Sequence, residues 1–161
     1  MTGLAVSKFG DWARAGIVLQ NLRAKLYPAF EAQMFEDGDL VLKTIHGHIE
    51  AQDLPWTPLS EKTIKLKGNN TIYVETGVLK SQIKVRKVRS AANGLTLFIG
   101  ASAWDKAANG LKASDLMIWM EYGNSRIPPR PLIRPTWDEV EPILKEHWRA
   151  LIGDIVEGGA G

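Results

Sequence analysis

The sequence predicts an α+β domain: a helical N-terminal region, a small and mostly antiparallel β-sheet carrying a basic hairpin, and a C-terminal amphipathic helix packed against it. Three observations carry that expectation. Apolar residues return every three or four positions near both ends of the chain, the period falls to two after Ser81, and Asn93-Gly94 sits between the two alternating runs as a hairpin signal.

Trp12, Ala15, Leu19, Leu22, Leu26, Phe30 and Met34 mark the first amphipathic helix, with a bend expected at Pro28, which cannot donate the backbone bond of a helix interior. Glu36-Asp37-Gly38 reads as a stop. Leu40, Val41, Ile45 and Ile49 then mark a second, shorter helix ending before Asp53-Leu54-Pro55. Thr57 as N-cap and Pro58 at the first helical position predict a short helix closed by Gly68. Thr71 to Val74 has strand-like composition, and Glu75 to Lys80 reads as a tight turn or one helical turn. Ile83 and Val85 alternate with Lys84 and Arg86, and Lys87-Val88 breaks the phase, predicting a bulge; Leu95, Leu97 and Ile99 form one face of the returning strand. After a loop from Ala101 to Lys112, Ser114-Asp115 caps a helix that Gly123 ends. Pro128, Pro129, Pro131 and Pro135 make the next stretch extended and rigid. Thr136 with Glu139 predicts a capping box for the last helix, with Glu141 before Pro142 as an alternative start, and the final glycines read as a frayed tail.

At 161 residues and 17.8 kDa, with 45% hydrophobic and 24% charged residues, the chain fits one domain, divisible into a helical region 1–53, a β region 54–134 and a terminal helix 135–157. The absence of cysteine excludes disulfides, thiolate catalysis and cysteine-based metal sites. No run approaches the length of a membrane span, and the N-terminus has no signal-peptide pattern, so a reducing cytoplasm is the expected place of synthesis. The net charge of +2 conceals a segregation: Lys62 to Arg89 carries eight bases against Glu75, whereas Pro135 to Gly161 carries six acids against two bases. Such a chain can attract a copy of itself, a neighbouring protein or a polyanion.

The case for an enzyme is weak residue by residue. His46-x-His48 lies in a helical pattern, where positions two apart diverge, so no metal site is expected; His147 in the last helix reads as structural. Glu139 and Glu141 are explained by helix capping and dipole. No phosphate-binding glycine motif, nucleophile elbow or singled-out carboxylate pair occurs. No catalytic residue, metal or cofactor is therefore expected. Lys84, Arg86, Lys87 and Arg89 could track phosphates through a salt-dependent contact, although no aromatics interleave with them. Six tryptophans are many for one core, and Trp104, in a polar loop, is the best interface anchor.

Taken in order, several segments resemble one family: Trp56-Thr57-Pro58-Leu59-Ser60, then Thr76-Gly77-Val78-Leu79-Lys80-Ser81-Gln82-Ile83, a hairpin ending Leu97-Phe98-Ile99-Gly100, Glu121-Tyr122-Gly123, and Ile127-Pro128-Pro129-Arg130-Pro131-Leu132-Ile133. This set is similar to the virion morphogenesis proteins of tailed bacteriophages, the neck and tail-completion proteins, including the Mu-like type. Lys80, Gln82 and Leu132 depart from the family pattern. The resemblance implies a non-enzymatic subunit that forms a homo-oligomeric ring, sixfold or twelvefold, at the head–tail junction of the virion, beside head-closure or connector proteins and tail-tube or terminator proteins, with the genome passing through. Trp56, Pro58, Leu59, Thr76, Gly77, Leu79, Gly123, Pro129, Arg130 and Pro131 are the motif residues. Lys84, Arg86, Lys87, Arg89, Trp104, Arg126, Arg130 and Arg134 are then candidates for interface or channel, and the basic hairpin of one copy is expected to face the acidic last helix of the next. The alternative is a DNA-contacting accessory protein using the same hairpin. Neither reading involves a membrane.

Overall fold

The structure, a computed structural model, describes residues 12–74, 77–89, 95–107 and 110–158; the side chains of 12–16, 18–25, 89 and 156–158 are outside the described set. The Asn93-Gly94 turn, Glu75-Thr76, the final glycine tail and the apolar spacing from Trp12 to Leu22 fall outside it too. In chain order the described residues form α1 (Trp12–Ala51), α2 (Glu61–Lys67), α3 (Val78–Gln82), β1 (Lys84–Arg89), β2 (Leu95–Gly100), α4 (Ala113–Tyr122) and α5 (Ile133–Gly158). The class is α+β, as expected.

Helix α1 corrects the expected pair of helices. It runs 40 residues without interruption through Pro28 and Gly38, about 60 Å at the usual rise. The apparent stop is a packing site. Asp37 is buried and accepts from Gln33 Nε2 (3.0 Å), and its Oδ1 also lies 2.7 Å from His147 Nδ1 of α5. Gly38 is where the hairpin rests on the helix, for a Cβ there would lie 3.1 Å from both Leu97 Cδ1 and Val85 Cγ1. A glycine that reads as a break is therefore a close-approach residue. Helix α5 lies antiparallel along α1, fixed by the Asp37–His147 contact, by Phe30 against Trp148 at 5.6 Å, and by Glu139 beside His48 at 3.2 Å.

Strands β1 and β2 pair antiparallel in unbroken register from Lys84 opposite Gly100 to Arg89 opposite Leu95, so the expected bulge at Lys87-Val88 does not form. Regular alternation instead sends Val88 to the outer face with Lys84, Arg86 and Phe98, while Val85, Leu97 and Ile99 face α1. Lys87 shares that inner face and reaches Glu31 of α1 with its ammonium group, keeping its charge compensated beside apolar residues. The expected strand over Thr71 to Val74 is a turn. Gln52 satisfies both backbone groups of Ile72, accepting its N–H at 2.7 Å and donating to its carbonyl at 3.0 Å, and Tyr73 takes a positive φ of 64°. The local amide bonding that a sheet would supply comes from one side chain.

Three helix starts also differ from expectation. Ser60, not Thr57, caps α2, its Oγ accepting from Thr63 N at 3.2 Å. Lys112, not Ser114, precedes α4, because Ala113 is fully buried and its amide bonds Asp105 O at 2.8 Å. Helix α5 opens at Ile133, ahead of Thr136, and admits Pro135 in its first turn, where a missing N–H costs nothing. Gly68 closes α2 in the left-handed conformation, as expected. One hydrophobic cluster unites the elements, with Val41, Ile45 and Ile49 of α1 against Trp56, Tyr73, Ile83, Met117, Leu132 and Val140. Among the described residues no helix is long and apolar enough to cross a membrane.

The two glycines inside α1 predict opposite responses. Gly47 has open space around its Cα, so Gly47→Ala stabilises by about 1 kcal/mol through helix propensity. Gly38→Leu presses the hairpin off the helix and destabilises by roughly 2 kcal/mol or more. Urea unfolding of both variants measures the difference.

Candidate functional site

Two regions gather the residues singled out by sequence: an interlock built from the motif segments, and the outer face of the hairpin with the loop that follows it.

The interlock centres on Arg130, only 5% exposed. Its amide donates to Met120 O of α4 at 2.6 Å, and its carbonyl accepts from Tyr73 Oη at 2.7 Å. Its guanidinium donates to the carbonyls of Thr57 (Nε, 2.6 Å) and Pro58 (Nη2, 3.1 Å). Alongside, Trp56 Nε1 donates to Pro131 O at 2.6 Å, and its ring tilts against Tyr73 at 5.3 Å. These bonds explain why α2 begins late: Arg130 draws two carbonyls from the segment where Thr57 and Pro58 would otherwise open the helix. Arg130 is consequently turned inward and does not present its charge at an interface or channel. Burial holds its guanidinium pKa below the usual value, and burial with the nearby Glu121 charge pushes the Tyr73 phenol well above its ordinary range.

Glu121, the first residue of the acid–aromatic–glycine step, caps the last helix. Its Oε2 accepts from the amides of Leu132 (2.7 Å) and Ile133 (2.9 Å), and Oε1 from that of Arg134 (3.0 Å). Three orphan donors of a helix N-terminus are thereby satisfied by one carboxylate from another helix. Gly123 follows with φ of 75°, and a Cβ there would meet Pro129 N and Cδ at 2.9 Å, so only glycine lets the proline segment fold back. Leu79 is buried, Leu59 packs on the core, and Gly77 precedes α3 with φ of 77°; Thr76 is outside the described residues. Sequence does not name Tyr73 or Glu121 as site residues, and the signal for Glu121 is its place in the Glu121-Tyr122-Gly123 step.

The cationic candidates separate. Arg86 Nη2 bonds Asp105 Oδ2 at 2.5 Å, and Lys87 is held by Glu31. That Arg86 bond, with the Ser102 amide second, holds the Asp105 carboxyl below its usual range. Lys84 points outward, its ammonium 3.5 Å from Gln82 Oε1. Arg126 and Arg134 are exposed, and the Arg89 side chain is outside the described set. The turn 102–105 is fixed by three bonds within itself, Ser102 N to Asp105 Oδ2, Trp104 N to Ser102 Oγ and Asp105 N to Ser102 O. It projects Trp104 into solvent, 93% exposed. Val88 and Phe98 are exposed on the adjoining outer face of the hairpin.

A groove of about 500 Å³ opens beside the interlock, walled by Leu59, Leu66, Leu79, Leu116, Met120 and Ile127. Among the described residues no carboxylate or imidazole lines it; Tyr73 and Arg130 reach it, but their hydroxyl and guanidinium are already bonded. The histidines lie elsewhere. His48 Nδ1 is 2.8 Å from Asp53 Oδ1, and His46 Nε2 is buried without a hydrogen bond among the described residues. Among those residues no group of three or more acids and histidines could hold a metal ion. No protein-family model, curated protein or solved structure matches the chain.

The interlock and the projecting turn predict contrasting variants. Glu121→Ala leaves three amides at the start of α5 uncapped and destabilises by about 1–2 kcal/mol, whereas Trp104→Ala changes stability by less than about 0.5 kcal/mol. Urea midpoints of the two variants test this.

Proposed function

We propose that the chain is a non-enzymatic structural subunit of a tailed bacteriophage, assembling as a homo-oligomeric ring at the head–tail junction of the virion. In that position it would contact head-closure or connector proteins on one side and tail-tube or terminator proteins on the other. The observation that carries the reading is the division of labour between motif and surface. Trp56, Pro58, Gly123, Pro129, Arg130 and Pro131, scattered over 76 positions of sequence, spend their polar and steric specificity on one another. Such an arrangement shapes a scaffold and does no chemistry. The projecting Trp104 and the exposed Val88 and Phe98 meanwhile offer large apolar side chains to a neighbour. A protein whose specificity lies in shape, with Trp104 and Phe98 turned outward, works through contacts.

The DNA-contacting alternative draws less support, since Arg86 and Lys87 are already compensated by Asp105 and Glu31. Native mass measurement of the purified full chain over a concentration series tests the proposal. A discrete closed multiple of 17.8 kDa is expected, and a species that stays monomeric at every concentration would overturn it.

A further inference from the structure

The charge segregation of the sequence has a different geometry in the folded chain from the one the hairpin suggested. Three of the basic residues between Lys62 and Arg89 are consumed internally: Lys80 by Glu50, Arg86 by Asp105 and Lys87 by Glu31. Two exposed cations of that run sit together on α2. Lys62 and Lys65 face solvent beside Leu66, which is 79% exposed and lines the apolar groove, and Arg126 stands at the groove as well. A short helix thus shows one large apolar side chain with positive charge beside it.

The opposite pattern occurs on α5. Ile143, Glu146, Ala150 and Asp154 succeed one another at three- and four-residue steps, which places them along one flank of the helix. All are exposed, Ile143 at 44%. The helix buries a different flank, with Val140, Leu144 and Trp148 directed to the core and to α1. Among the described residues Glu146 is engaged only by the exposed Arg149 of its own helix, a pair that solvent already weakens. This flank alternates apolar side chains with acids, and no base lies in the series.

We infer that α2, with the mouth of the groove, docks on the exposed flank of α5 from a second copy of this chain. Leu66 meets Ile143 and Ala150, while Lys62 and Lys65 meet Glu146 and Asp154. The occupant is a second copy because the two surfaces are complementary in both respects, apolar side chain to apolar side chain and base to acid, and both belong to the same chain. Two different patches meet, so the contact is heterologous and propagates from copy to copy until it closes. The inference rests on the proposed ring and supplies its interface.

Charge reversal with rescue tests it by sedimentation velocity of the full chain at low and high salt. The wild type is expected to self-associate, less strongly as salt rises. Lys62→Glu with Lys65→Glu, and separately Glu146→Lys with Asp154→Lys, should each weaken association by roughly two orders of magnitude through like-charge contact. Mixing the two variants should restore it, since each then offers one native and one reversed face to the other. Assembly of the wild type that neither double variant weakens would overturn this interface and leave the ring standing. The interface is equally overturned if both variants lose association and their mixture does not recover it. A wild type that never associates would overturn the ring and the interface together.

Discussion

Arg130 bonds through its amide, its carbonyl and its guanidinium, and the path of the chain from Trp56 to Ile133 depends on that. Its amide fixes the end of α4, its carbonyl receives the Tyr73 hydroxyl, and its guanidinium gathers the carbonyls of Thr57 and Pro58. A guanidinium is suited to the task because its donors form a planar fork that can serve neighbouring carbonyls without losing charge. The flanking prolines matter equally. Pro129 and Pro131 restrict the backbone so that the side chain and the carbonyl of residue 131 reach the same segment, where Trp56 completes the clamp. With Glu121 capping α5 from α4, the proline segment is anchored at both ends, and the last helix is aimed along α1.

The parts legible in sequence are those governed by local pattern. Alternation in Val85, Leu97 and Ile99 locates the hairpin, and the apolar spacing of Val140, Leu144, Trp148 and Leu151 locates the last helix. Sequence misleads where a long-range contact replaces a local one. Gly38 carries the local mark of a break, but the cause of its identity is the pair Val85 and Leu97, some 50 residues away. Thr71 to Val74 has strand composition, yet Gln52 supplies its hydrogen bonds. Thr57 and Thr136 are good caps by type and are bypassed because Arg130 and Glu121 claim the neighbouring backbone. Arg130 reads as surface charge for the same reason: no local pattern distinguishes an arginine that faces a channel from one that folds back onto carbonyls.

Charge follows a similar course. The surplus of bases between Lys62 and Arg89 suggests a cationic hairpin, but packing against α1 and the loop after β2 brings Glu31 and Asp105 to Lys87 and Arg86. Compensation of that kind keeps a two-stranded hairpin with a charged inner position on the helix, and it shifts the weight of available positive charge toward α2. The side chains that the interlock leaves exposed include those of Phe98 and Trp104 and others on α2 and on the outer flank of α5.

Coupling within the interlock is the central requirement of this fold, and a double-mutant cycle between Trp56→Phe and Arg130→Met measures it by urea unfolding. Both residues clamp the same two segments, so a coupling energy of about 1 kcal/mol or more is expected. Additive effects within about 0.3 kcal/mol would contradict it, since they would mean that the two contacts form independently and that no single interlock orders the motif segments.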